Sequence, residues 1–231
     1  PAAIWIGVSA DGYFAAVAAW AVALLILAAR RDVRYPWLAA VAAGLLFGLT
    51  VYLSYGLTLL AVVALAVLVV TRTFRPLPLV LAGALVIPLA FTVAGFYWWD
   101  AYELLVERYH EGAGGVRSYP YWVWGNLAGT VLVIGPATLA GLRRQFTLVP
   151  AIVRQEPVSK VGFAGLALAF LTTILIADLS GMSKAETERI WLPFTLWLLP
   201  AAAALPGRRR GWLAAQASLA LAINHLVLTS W

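Results

Sequence analysis

Not one cysteine occurs in the 231 residues, there is one methionine and there are two histidines, and only 11% of the chain is charged. Without cysteine, disulfides and thiolate metal sites are excluded. His110 and His225 are remote in sequence, so no local histidine metal motif exists. No phosphate-cradling glycine loop opens a helix, and no serine nucleophile elbow is present. The amino terminus lacks the order of a secretory signal: basic flank, short apolar stretch, small-residue cleavage site. Pro1 leads directly into apolar sequence, and the chain is expected to be a piece of a longer protein cut within its membrane region.

Hydrophobic residues fill the space that charge leaves, at 63% of the chain. They form five stretches long enough to cross a bilayer and a sixth long enough to enter and return. A spanning helix needs roughly 20 mostly apolar residues. Within hydrocarbon a helix satisfies its own backbone polar groups, which an open strand cannot do. The expected fold is therefore all-α: one polytopic transmembrane helical bundle over residues 1–231, with the lipid bilayer as its first partner. The net charge of +6 raises the question of nucleic acid. The basic residues sit in short clusters between apolar runs, which is the pattern of a chain anchored against an anionic leaflet, so no nucleic acid is expected. Nothing in the sequence indicates an oligomeric state or a cofactor.

A first helix is predicted over 11–29, ending at Arg30, Arg31, Asp32 and Arg34 with Pro36 as breaker. The next apolar run, 37–70, is too long for one crossing and too short for two complete ones. Basic residues flank both its ends, the second set being Arg72 and Arg75. A helical hairpin with short arms, turning at Leu53-Ser54-Tyr55-Gly56, explains this. A third element over 77–96 is interrupted by Pro88 and leads to Tyr97, Trp98, Trp99 and Asp100, an interfacial aromatic signature. The polar segment 97–120 reads as an outer loop, with a short surface helix over 100–110. Further spans are expected up to Arg143 and Arg144, over 161–179, from the charged loop 180–189 to Pro206, and over 211–229. On this map 12 of the 16 basic residues fall on one side. Arg108, Arg117, Lys184 and Arg189 fall on the other, with most of the acids. The positive-inside rule makes the first side cytoplasmic.

Chemistry is sought on the acidic, aromatic outer side. Ser183-Lys184-Ala185-Glu186 has the form of a capping box, so Glu186 is either a cap or a ligand contact. Lys184 and Glu188 are four apart, on a helix face shared with Trp191. Their pairing is either an ordinary helix salt bridge or part of a site. Arg189 lies beside Trp191 and Pro193, and its planar fork suits a phosphate or pyrophosphate at the membrane surface. Asp178 faces the same loop, either as a partner for Lys184 or Arg189 or as an acceptor for a sugar hydroxyl. Asp11 opens the first helix, where a carboxylate also serves the helix dipole. Asp100, Glu103, Arg117 and Tyr119 stand among tryptophans that either stack on sugars or mark the interface. Asn224 and His225 in the last helix read as an interhelical contact before a proton relay. Ser54 and Tyr55 close the hairpin turn.

The segment from Pro1 to Phe14, the short-armed hairpin with its 43–56 turn region, and Lys184-Ala-Glu-Thr-Glu-Arg-Ile-Trp191 resemble the polytopic C-type glycosyltransferases, above all the actinobacterial integral-membrane members. The likeness covers most of the chain as an arrangement of helices and weak motifs. It implies transfer of a hexosyl or pentosyl group from a polyprenyl-phosphate donor at the outer membrane face. In that superfamily the catalytic acid sits in a first outer loop that would precede Pro1, so no catalytic residue is assigned to this chain. The candidate substrate-binding residues of the outer side are Arg189, Lys184, Glu188, Asp178, Arg117, Asp100 and Tyr119, and in the mechanism that the resemblance implies Arg189 and Lys184, with Arg117, neutralise the departing lipid phosphate. The rival readings are a transporter or flippase, whose helices are also broken, and a non-catalytic envelope scaffold.

Overall fold

The structure is a computed structural model that describes residues 1–7, 9–207 and 209–227. Its long helices are α1 (Asp11–Ala29), α2 (Pro36–Leu53), α3 (Leu60–Thr71), α4 (Leu77–Val93), α5 (Trp98–Glu111), α6 (Tyr119–Phe146), α7 (Val158–Leu179) and α8 (Arg209–Leu226). The fold is all-α, and this is a multi-pass membrane protein. Among the described residues α1, α2, α6 and α7 are each long and apolar enough to cross a membrane. The chain divides into two compact units, one of residues 16–118 and one of 1–15 with 119–231, so that the start of α1 belongs to the second of these.

In the unit of residues 16–118 the hairpin takes shape. Pro36 starts α2 at a position where its missing N–H costs nothing. Ser54 is extended (φ −160°, ψ 134°) and ends the helix. A 3-10 segment, Tyr55–Leu59, then turns the chain into α3. The two basic turns, with Arg30 and Arg31 in one and Arg75 in the other, line the same cavity. Both ends of the 37–70 run therefore lie together, as the flanking charges require. Helix α4 runs beside α2 at backbone contact distance. A Cβ on Gly44 would collide with the Val80 carbonyl, one on Gly48 with that of Ala84, and one on Gly83 with that of Val41. Gly44 and Gly48 form a small-xxx-small pair, which lets helices approach closely where lipid supplies no hydrophobic drive.

The third element of the sequence reading ends earlier than expected, at Val93. Gly95 adopts φ 90°, and the Phe96 amide reaches back to the Phe91 carbonyl at 2.9 Å. This is a Schellman stop. Helix α5 then leaves at 81° to α4, with no buried residue among its fourteen. The Trp98 indole donates to the Val51 carbonyl at 3.1 Å, one of the acceptors stranded at the end of α2. Trp98 stacks on Tyr102 and packs against Tyr55, so these rings are spent on one another, whereas Trp99 is exposed.

In the unit of residues 1–15 and 119–231, α6 is broken at Gly135 (φ 73°, ψ 173°), just before Pro136. Gln216 of α8 donates to the Ile134 carbonyl at 3.0 Å across the break. The core holds Trp191, Phe170, Phe194 and Leu192, with Phe170 stacked on Trp197. The helix expected to open within the charged loop 180–189 and run to Pro206 is instead fragmented. Thr187–Ile190 and Leu192–Thr195 are single turns, and Leu196–Ala204 is 3-10. Pro193 and Pro200 each remove a helix hydrogen bond, and the apolar piece Leu192–Ala204 is too short to span. Helix α8 covers the last expected span up to Leu226; Arg208 and Thr229 lie outside the described residues.

Candidate outer-loop site

The loop 180–189 folds onto the ends of α6 and α7, and Asn126 holds it there. Its side-chain Nδ2 donates to Asp178 Oδ1 at 2.9 Å and to the Ser183 carbonyl at 2.7 Å. Its Oδ1 accepts the Ala185 amide at 3.1 Å. Asn126 and Asp178 are each 2% exposed. One buried amide thus uses both donors and an acceptor to tie three chain segments. Tyr119 packs against Gly181, and its hydroxyl donates to the Leu179 carbonyl at 3.3 Å.

This geometry overturns the capping box. Glu186 sits at φ 60° and makes no side-chain cap, and the helical turn begins only at Thr187. The Ala185 amide is taken by Asn126, and Ala185 is itself left-handed at φ 72°. Lys184 therefore lies in non-helical chain, and the expected helix face shared with Glu188 and Trp191 does not form. Glu188 lies instead against Gly129 of α6, and Trp191 is buried at 1% exposure. Asp178 takes its hydrogen bond from neutral Asn126 rather than from Lys184 or Arg189.

Arg189 is gripped from two directions. Its Nη1 donates to Asp11 Oδ2 at 3.0 Å and its Nη2 to Glu186 Oε2 at 2.5 Å. Ser9 Oγ donates to the same Asp11 oxygen at 2.9 Å. Burial acts to lower the Arg189 pKa, but the hydrogen bonds and charges of Glu186 and Asp11 outweigh it and hold the guanidinium above its usual value. Arg189 therefore stays charged, with its plane fixed between Asp11, 178 positions earlier in the chain, and Glu186, three residues before it.

The structure thus brings together Arg189, Glu186, Asp11, Asp178, Lys184, Glu188 and Tyr119 in one unit. Asp100 and Arg117 belong to the other, where Asp100 is exposed in the first turn of α5. Asn126 and Ser9 are the residues that sequence reasoning missed. An asparagine inside an apolar run, Trp124-Gly-Asn-Leu-Ala128, was the available signal, since buried amides seek partners. The His225 ring donates to the Leu221 carbonyl of its own helix at 2.9 Å, a local role. Among the described residues no group of three His, Asp or Glu side chains could hold a metal ion.

The chain matches no known protein family, no curated protein and no solved structure.

Proposed function

We propose that this chain is the membrane-embedded part of a glycosyltransferase that takes a sugar from a polyprenyl-phosphate donor at the outer face of the cell membrane. The observation that carries the reading is Arg189, held rigid and charged at a helix boundary between Asp11 and Glu186. Asp11 and Glu186 together offset the charge of Arg189, so the reading requires Lys184 of the same loop beside it; preorganised cations are the means by which charge developing on a leaving phosphate is stabilised. The neighbouring carboxylates suit sugar hydroxyls, and the Asn126-latched loop fixes their positions. The orientation belongs to the proposal: arginine-rich turns in the cytosol, and the loop 180–189 outside.

The test is transfer activity of the intact protein in liposomes with a polyprenyl-phosphate sugar. Arg189→Ala should lower turnover about a hundredfold, the scale of losing one transition-state donor, while membrane insertion is kept. Turnover unchanged by Arg189→Ala would remove that residue from the reaction.

A second reading, a transporter, draws on the broken α6. At Gly135 a Cβ would collide with Gln216 Oε1. That oxygen and Thr138 Oγ1 are buried without hydrogen-bond partners among the described residues. Broken helices with free polar groups are where transporters bind substrates and ions. Uptake of a solute into liposomes in the absence of any sugar acceptor would favour this reading over the transferase.

A further inference from the structure

The unit of residues 16–118 contains a cavity of about 360 Å³ between its two basic turns, a volume in the range of small-ligand sites. Arg30, Arg31 and Arg75 line it together with the apolar residues Trp37, Ala40 and Leu79. The three arginines are not equivalent. Arg30 is neutralised by Asp32, with Nε donating to Oδ1 at 2.9 Å. Arg31 and Arg75 have neither an ion pair nor a hydrogen bond among the described residues. Two uncompensated guanidiniums therefore face one cavity.

The backbone adds to this field. Helices α2 and α4 both begin at the cavity, with Pro36 and Pro76 in its lining. Each directs the positive end of its dipole toward the cavity, although Pro36 and Pro78 carry no N–H and the Ala39, Leu77 and Val80 amides are already taken by backbone carbonyls. Such convergence suits phosphate oxygens, which arginine binds with a two-pronged fork. The apolar part decides the source of the phosphate. Trp37, Tyr35 and Phe74 are about half exposed around these turns, as aromatic side chains at headgroup level are, and the cavity lies where α1 ends and α2 begins. We infer that this cavity is a binding site for the headgroup of an anionic glycerophospholipid, with Arg31 and Arg75 on the phosphate and Trp37 and Leu79 against the start of the acyl chains.

The test uses the intact protein in nanodiscs of phosphatidylcholine doped with phosphatidylglycerol, with retained lipid counted by native mass spectrometry. The wild type should retain phosphatidylglycerol at least about tenfold over phosphatidylcholine, since each arginine near an anionic headgroup contributes a several-fold preference. Arg31→Ala with Arg75→Ala should abolish that preference. Arg143→Ala with Arg154→Ala removes the same charge elsewhere and should keep it. Leu79→Trp, which keeps both arginines and fills the apolar part, should weaken retention and stands in if the arginine pair fails to fold. Equal retention of both lipids by the wild type would overturn the inference. So would a preference that survives both the arginine and the Leu79 changes, or an equal loss in the Arg143/Arg154 control. Displacement of phosphatidylglycerol by millimolar inorganic phosphate would assign the site to the free anion instead.

Discussion

Arg189 and Asp11 are 178 positions apart and meet at 3.0 Å, Nη1 to Oδ2. The pair closes the amino-terminal segment onto the loop that opens at Ser180. Both side chains are largely withdrawn from solvent, at 30% and 11% exposure, so the contact is stronger than a surface ion pair. Glu186 completes it from three residues away in sequence. The N-terminal carboxylate therefore serves as a long-range tie rather than only as a favourable charge at the start of α1.

Asp11→Asn should lower stability by about 1–3 kcal/mol, the cost of weakening a charge-assisted hydrogen bond in a partly buried site. Arg189→Ala should cost at least as much, because it leaves two carboxylates facing each other without their cation. A double-mutant cycle read by thermal unfolding in detergent should return a coupling of about 1–2 kcal/mol. Strict additivity would show that the pair does not bind the loop.

Asn126→Ala removes both donors and the acceptor of the latch. It leaves the Asp178 carboxylate, 2% exposed, without its donor. The expected cost is about 2–4 kcal/mol, and amide exchange should speed up by at least about tenfold at Ala185 and through 180–187. Helix α8 should exchange as before. Protection at Ala185 that survives the change would assign the loop's order to other contacts.

Much of the fold was legible because it depends on local chemistry and burial. The bounds of α1 follow from an apolar run between Asp11 and Arg30, and the hairpin follows from arginines flanking a run of the wrong length. The surface helix over 100–110 was legible as part of the longest polar segment, before the glycines at 112, 114 and 115. The candidate site was legible only in its residue types. Whether Ser183 caps a helix is decided by Asn126, 57 positions earlier, which takes the Ser183 carbonyl and the Ala185 amide. No local pattern contains that competition. The Gly135-Pro136 break was not read from the sequence, where the span up to Arg143 and Arg144 carried no interruption, and only the position of Gln216 shows what fills the gap.

Ala185 and Glu186 are consecutive left-handed residues, at φ 72° and 60°. A side chain there costs roughly 1 kcal/mol or more relative to glycine. Glycine also gains about 0.5–1 kcal/mol of unfolded-chain freedom, which opposes the relief. Ala185→Gly should therefore change stability by no more than about 1 kcal/mol, in the favourable direction. Ala185→Val should destabilise by about 1–2 kcal/mol, since a branched side chain tolerates this conformation least. Equal effects of the two changes would mean that the loop does not hold this conformation in solution.

Asp32 is held by Arg30 through a two-pronged contact, which lowers its carboxyl pKa from 3.8 to about 2. The folded value lies below the unfolded one. The contact's contribution is therefore complete above about pH 4 and is lost as pH falls through about 2. Both side chains are exposed, so salt should weaken the effect. Carboxyl ¹³C NMR should give a midpoint near 2, returning toward 3.8 in Arg30→Gln. A midpoint already at the ordinary value in the wild type would show that the contact does not persist.

Gly44 and Gly56 lie in the same hairpin and make opposite demands on substitution. A Cβ at Gly44 would strike the Val80 carbonyl with the Ala84 amide at 2.9 Å, and backbone atoms of a packed helix cannot step aside. A Cβ at Gly56 meets only Ser54 Oγ at 3.9 Å, an ordinary contact. Gly44→Ala must therefore push α2 and α4 apart, at a cost of about 1–3 kcal/mol typical of overpacking, against a helix-propensity gain of at most about 1 kcal/mol. Overpacking wins, and thermal unfolding in detergent should shift down by several degrees for Gly44→Ala and hardly at all for Gly56→Ala. Because the α2–α4 contact keeps the starts of both helices at the phosphate cavity, Gly44→Ala should also reduce phosphatidylglycerol retention, whereas Gly56→Ala should not. Tolerance of alanine at Gly44 in both measurements would mean that α2 and α4 do not pack backbone to backbone.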